Sequence, residues 1–267
     1  MRKVSAAPTY MIASGWWSSD QDFSEEFPTR KELGDSLIRS VAFFDHWLTA
    51  IRRVACPAEI VVVDSNAPCK PAEEKRAEVN WVELPFNARH STDHLGQWCG
   101  WSWSVFVSAN YALSTEHDYY VYVEQDCLIE GRGIIERCIE EMTTGFMFGH
   151  PEQTPQPLQQ SFFVIERSKL QEFLKNFAAI KHRDGTLSPE WKFLCATRPW
   201  LVVAANLGVL KSKRLRKLLK RFAIGRLFDV LPFGVGRARP IPMQSEHYYF
   251  QHGSAEEVAT FLKGCSS

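Results

Sequence analysis

A chain of 267 residues, 45% of them hydrophobic, is long enough to bury the core of one large α/β domain and too apolar to be a disordered segment. Its 31 basic and 31 acidic residues cancel, which excludes a global charge that demands nucleic acid and leaves any charged partner to be recognised locally. Seven scattered cysteines without a CxxC pair argue against a disulfide framework and a structural zinc site, and no apolar run approaches the roughly 20 residues that span a bilayer.

The opening segment, Met1 to Ser14, is interrupted by Pro8 and does not read as a signal peptide. With the unpaired cysteines, this predicts a protein of the reducing cytoplasm. Thr9 to Ser14 reads as a first strand, and Arg30 to Val54 places Leu33, Leu37, Val41, Phe44, Leu48 and Ile51 at helical spacing. Glu59 to Val63 is a continuous apolar strand closed by the turn-forming Asp64-Ser65-Asn66, and Trp81 to Leu84 a short third strand. Ser102 to Leu113 suits a helix, Tyr119 to Val123 a buried strand, and Gly133 to Met142 the helix after it. This alternation predicts a mostly parallel sheet with helices on both faces, whose ligands bind beyond the carboxyl ends of the strands.

The fourth strand carries the most chemistry. It ends in Glu124-Gln125-Asp126, and in an extended chain residues two apart point the same way, so both carboxylates meet one space. Hard cations such as Mg²⁺ or Mn²⁺ take one or two carboxylates and complete their shell with water and phosphate oxygens. Acids also gather simply where a buried strand emerges into solvent. Asp64 after the second strand and Asn87 to His90 after the third should converge on the same crevice, Asp64 toward a nucleobase or ribose and Arg89 toward phosphate. Each has a plainer role as a turn-former or solvated loop residue.

The order VVVDSN, then NARHSTDHLGQWCGWSWSVFVSANYAL, then DYYVYVEQDCLIEG resembles the nucleotide-sugar-binding half of GT-A fold glycosyltransferases over roughly residues 9 to 150. The resemblance implies a Rossmann-like, mostly parallel sheet in a single domain, with residues 1–150 binding the nucleotide sugar and 151–267 serving the acceptor. In that family an Asp after an early strand contacts the nucleotide, which here is Asp64. An Asp-x-Asp signature holds the metal on the diphosphate; here it reads Glu124-Gln125-Asp126, with Asp126 the firmer match. The implied activity is metal-assisted transfer of a sugar from a nucleotide diphosphate to a hydroxyl of a glycan or lipid-linked acceptor, in cell-surface polysaccharide synthesis.

In the second half, Ser161 to Ile165 reads as a buried strand and Lys169 to Phe177 continues helically. Ser188-Pro189-Glu190 has the chemistry of a helix start, with Ser188 as N-cap and Pro189 at the first helical position. Glu190 would sit where the helix dipole favours a carboxylate, which is its plainer role; resembling enzymes that invert the anomeric centre often take a general base from such a place, whereas a retaining mechanism would need none. Family members also complete the metal shell with a C-terminal His. His252 before Gly253 is the preferred candidate here, with His247 left to diphosphate or acceptor. Residues 210–228 carry eight Lys or Arg and no acid, with Leu215, Leu218, Leu219 and Phe222 at helical spacing. Such a helix either lies on anionic lipid or glycan, giving peripheral contact with the inner face of a membrane, or packs its leucines on the core. Trp16, Trp17, Trp98, Trp101 and Trp103 are candidates for a sugar-stacking platform or for core.

Two other readings compete. A nucleotidyltransferase would share such a sheet, but it usually places a Gly-rich basic loop after the first strand, where Ser14 to Ser18 offers one glycine and no base. A non-catalytic lipid- or nucleic-acid-binding protein would rest on residues 210–228 alone, although the neutral total charge speaks against nucleic acid.

Overall fold

The structure is a computed structural model that describes residues 7–21, 33–233 and 236–265. Strands β1 (Tyr10–Trp16), β2 (Glu59–Asp64), β3 (Asn80–Glu83), β4 (Tyr119–Val123), β6 (Phe146–Gly149), β7 (Gln159–Glu166) and β8 (Asp229–Val230) form one sheet in the order β3-β2-β1-β4-β7-β6-β8. Strand β5 (Cys127–Glu130) pairs with β9 (Tyr248–Gln251) in a separate two-stranded sheet. In the large sheet only β7 runs against its neighbours, so the mostly parallel arrangement expected from the alternating sequence is the one observed.

Helices cover both faces: α1 (Phe43–Val54), α2 (Glu73–Arg76), α3 (Gly100–Ser114), α4 (Ile134–Glu141), α5 (Arg167–Ala179), α6 (Pro189–Ala196), α7 (Pro199–Asn206), α8 (Lys213–Ala223) and α9 (Ala255–Cys265). Parallel strands buried on both faces must be apolar on both. Accordingly Met11 and Ala13 of β1 enter the layer formed with α3, α5, α6 and α7, while Tyr10 and Ile12 enter the opposite layer with α1, α4 and β9. Phe163, Phe148 and Phe193 meet in the first layer, Phe44 and Trp47 in the second, each buried. Full burial of such a side chain contributes about 1.5–3 kcal/mol.

The long helix expected over Arg30 to Val54 is not one helix. Residues 30–32 lie outside the described residues, and a 3-10 turn over Ser36–Arg39 precedes α1. Gly34 adopts φ +76°, and the Asp35 carboxylate accepts from the Leu37 amide, so the turn is capped locally before Ser40 returns to extended backbone. The other elements lie within a few residues of their expected limits, and six cysteines are free thiols, Cys265 being outside that description. No described helix is long and apolar enough to cross a membrane.

Candidate active-site cleft

A cleft of about 770 Å³ opens at the carboxyl ends of β1, β2 and β4, where this topology places ligands. Glu124, Asp126, His252, Glu190 and Arg89 all line it, together with Trp17, Trp101, Gln160, Arg237 and Gln251. Residues from both halves of the chain thus face one space.

The two acids meet through a different local geometry from the one expected. Glu124 to Asp126 is a turn rather than extended strand, closed by the Cys127 amide donating to Glu124 O at 2.9 Å. The Gln251 side-chain amide joins the carboxylates, its Nε2 donating to Glu124 Oε2 at 2.6 Å and to Asp126 Oδ1 at 2.9 Å. Cys127 is in register with Gln251, so β5–β9 pairing brings His252 beside Asp126, with Nε2 3.3 Å from Oδ2. His252 holds φ +57° and Arg89 φ +62°. Left-handed backbone at non-glycine residues costs on the order of 1 kcal/mol or more and concentrates at functional sites.

Burial pushes the Glu124 carboxyl up from its ordinary 4.5 to about 8, helped by the like charges of Asp126 and Glu190 and opposed by Arg237. Above pH 4.5 the unfolded chain has lost this proton while the folded chain keeps it, so stability falls as pH rises toward 8 and changes no further above it. Glu124→Gln keeps the shape without the charge. In the metal-free chain its melting temperature should match wild type near pH 4.5 and exceed it by about 5 °C at pH 8.5, corresponding to roughly 2 kcal/mol. Parallel melting curves that stay equal at both pH values would show that Glu124 is not under this strain.

Other expected residues divide. Glu190 is in the first turn of α6, 8% exposed and facing the cleft. Ser188 does precede that helix, but its hydroxyl donates to Gln156 Oε1 at 3.0 Å instead of capping it. Arg89 is exposed at the cleft rim, its carbonyl accepting from the Gly100 amide at 2.7 Å. Asp64 is not brought to the cleft. Its side chain is fully buried and outside the cleft lining, Oδ1 accepting from the Ala67 amide at 2.8 Å and Oδ2 lying 3.2 Å from Lys70 Nζ. A carboxylate after a buried strand has here closed its own turn, and Ser65 is the neighbour that reaches the cleft. His247 is not brought there either: its Nε2 meets Arg132 O at 3.0 Å and it does not line the cleft. Among the tryptophans, Trp98 is core, stacked on Phe177, and Trp103 packs against it; Trp16, Trp17 and Trp101 reach the cleft.

Sequence reasoning missed Gln251 and Arg237. Arg237 Nε donates to Gln251 Oε1 at 3.0 Å, which turns the amide nitrogen of Gln251 toward the two acids. Gln251 adjoins the predicted His252, and that adjacency was the available signal.

Among the described residues no three His, Cys, Asp or Glu side chains stand as a ready-made metal cluster. The donor set nevertheless fits a hard divalent cation: two crowded carboxylates in a low-dielectric cleft, with an imidazole beside one of them. The Gln251 amide now bridges the acids and would have to yield part of that position.

No family model and no curated protein matches the chain. Among solved structures it is similar to the mannosyltransferase PcManGT from Pyrobaculum calidifontis in complex with GDP-Man and Mn²⁺, at 10% identity and TM-score 0.41 over 82% of this chain and 80% of that one. It is similar to glucosyl-3-phosphoglycerate synthase from Mycobacterium tuberculosis in complex with Mn²⁺, UDP-glucose and phosphoglyceric acid, at 10% identity and TM-score 0.42 over 75% and 80%. A third is S. aureus TarS 1–349 in complex with UDP-GlcNAc, at 12% identity and TM-score 0.37 over 61% and 46%. The chain spans about half the length of the TarS and LgtC structures it matches, 46% and 57%. None of these similarities assigns a function to this chain.

Proposed function

We propose that the chain is a glycosyltransferase of GT-A architecture, moving a sugar from a nucleotide diphosphate to a hydroxyl of a glycan or lipid-linked acceptor in cell-surface polysaccharide synthesis. The observation that carries this reading is that Glu190, from the second half, faces the same cleft as Glu124, Asp126 and His252. Arg89 and Arg237 supply positive charge for diphosphate oxygens. Asp126 and His252, with Glu124 beside them, are the residues that would hold Mn²⁺ or Mg²⁺, and such a cation, when bound, neutralises charge on a departing diphosphate. Glu190 accepts the proton of the acceptor hydroxyl as its oxygen bonds to the anomeric carbon and the bond from that carbon to the diphosphate oxygen breaks with its electron pair. Trp17 and Trp101 offer aromatic faces to sugar rings at the cleft wall.

The test is release of nucleoside diphosphate from a panel of nucleotide sugars with Mn²⁺ and glycan acceptors. Glu190→Gln should lower acceptor-dependent turnover by roughly 10²–10⁴-fold while nucleoside diphosphate binding stays unchanged. Turnover equal to wild type would remove Glu190 from the reaction, and no release from any nucleotide sugar would remove the transferase. The nucleotidyltransferase alternative is disfavoured by β1. Its end is paired with β2, and the Gly15 amide donates to the Tyr122 hydroxyl at 3.0 Å, so among the described residues that amide is not left open for a phosphate.

A further inference from the structure

The basic segment does not place its apolar residues as a core helix would. On α8, Leu219 packs on the core and Ala223 is buried, while Leu215, Leu218 and Phe222 are 43%, 65% and 42% exposed. These three form one stripe at i, i+3 and i+7, and the exposed Arg214, Lys217 and Arg221 form a second stripe beside it. The inward face is held by Lys220 Nζ, which donates to Thr154 O at 2.8 Å, and by Arg216, whose guanidinium lies over the Trp191 ring and donates to Leu210 O. The helix is therefore anchored with its apolar stripe outward.

The preceding helix does the same. Trp200 and Val203 of α7 and Leu207, which caps its C-terminus, repeat at i, i+3 and i+7 with exposures of 54%, 58% and 76%, while Leu201, Val202 and Ala205 are buried. The 3-10 turn Val209–Lys211 packs against both helices and exposes Val209. Exposed apolar stripes of this extent mark an interaction surface. Eight of the chain's 31 basic residues and none of its 31 acids fall within residues 210–228.

We infer that the exposed stripes of α7 and α8 form a docking surface for an anionic lipid bilayer. The partner is chosen by charge and polarity together: a bilayer offers acyl chains to Leu218, Phe222 and Leu207 and anionic headgroups to Arg214, Lys217 and Arg221, with Trp200 suited to the boundary between them. A polyanion such as RNA satisfies the basic stripe and leaves the leucines in water. The inference goes beyond the proposed transferase and does not depend on it. If both hold, the bilayer lies near the acceptor side, because Lys220 grips the loop that leads to Gln156 in the cleft wall.

The test is flotation of the whole chain with vesicles of phosphatidylcholine alone and of phosphatidylcholine mixed with phosphatidylglycerol, at about 0.1 M and about 0.5 M salt. Binding is expected to the anionic vesicles, weakened by salt, and to fall at least roughly tenfold both in Arg214→Glu/Lys217→Glu/Arg221→Glu and in Leu218→Ser/Phe222→Ser. These side chains are exposed, so melting temperatures should stay within about 2 °C of wild type, and Trp200→Ser gives an independent apolar variant. Absent or charge-indifferent vesicle binding overturns the inference. So does loss in the charge variant alone accompanied by equal affinity for single-stranded RNA, or a dimer that Leu218→Ser/Phe222→Ser dissociates.

Discussion

Lys192→Met is expected to destabilise the chain by about 3–5 kcal/mol, lowering the melting temperature by about 10 °C. Lys192 Nζ and Asp184 Oδ1 are 2.6 Å apart with both side chains fully buried, and burial holds the lysine below its ordinary value. Asp184 Oδ2 also accepts from the Cys99 amide at 2.7 Å, directly before α3 begins. Removing the ammonium leaves a carboxylate buried in an apolar layer with one amide for company, and that orphaned charge is the main cost. Adding Asp184→Asn to Lys192→Met removes the charge while keeping an acceptor for Cys99, and should recover most of the loss. Urea unfolding of the three chains measures it. A loss below about 1 kcal/mol for Lys192→Met would mean that the folded chain does not hold a charged pair there. Because Cys99 and Gly100 line the cleft, the single variant should also weaken donor binding.

Asp126→Ala should have the larger effect on chemistry and little on stability. Gln251 keeps Glu124 as an acceptor and the Asp126 carboxylate beside His252 is gone, so the residues that would hold a cation are reduced to Glu124 and His252. Turnover is expected to fall on the order of 10²–10³-fold. The same change takes a like charge away from Glu124, so the metal-free melting temperature at neutral pH should be equal to or above that of wild type. Steady-state turnover and melting curves on the same preparations distinguish a lost function from a lost fold.

The strands were legible because parallel strands buried on both faces leave continuous apolar runs, as in Glu59–Asp64 and Tyr119–Val123. The break before α1 was not, because the periodic Leu33, Leu37 and Val41 conceal the left-handed Gly34 and the cap at Asp35. In the cleft, Glu124, Asp126, Glu190, Arg89 and His252 were identifiable from residue type and position along the chain. The placement of Asp64 outside the cleft was not legible, because a carboxylate that closes its own turn and one that faces a cleft look alike in sequence; burial and Lys70 separate them. Gln251 and Arg237 were hidden for another reason: their placement depends on the β5–β9 pairing, in which Cys127 lies opposite Gln251, far away along the chain.

In the proposed reading, Glu124, Asp126 and His252 form a cation-dependent nucleoside diphosphate site. A thermal-shift titration of nucleoside diphosphates of each base, with and without Mn²⁺, on wild type and Asp126→Ala tests it most directly, since a ligand bound only by the folded state raises the melting temperature with occupancy. One diphosphate is expected to stabilise wild type when Mn²⁺ is present and to leave Asp126→Ala unmoved. Stabilisation that ignores Mn²⁺, that persists in Asp126→Ala, or that appears with no diphosphate would contradict it.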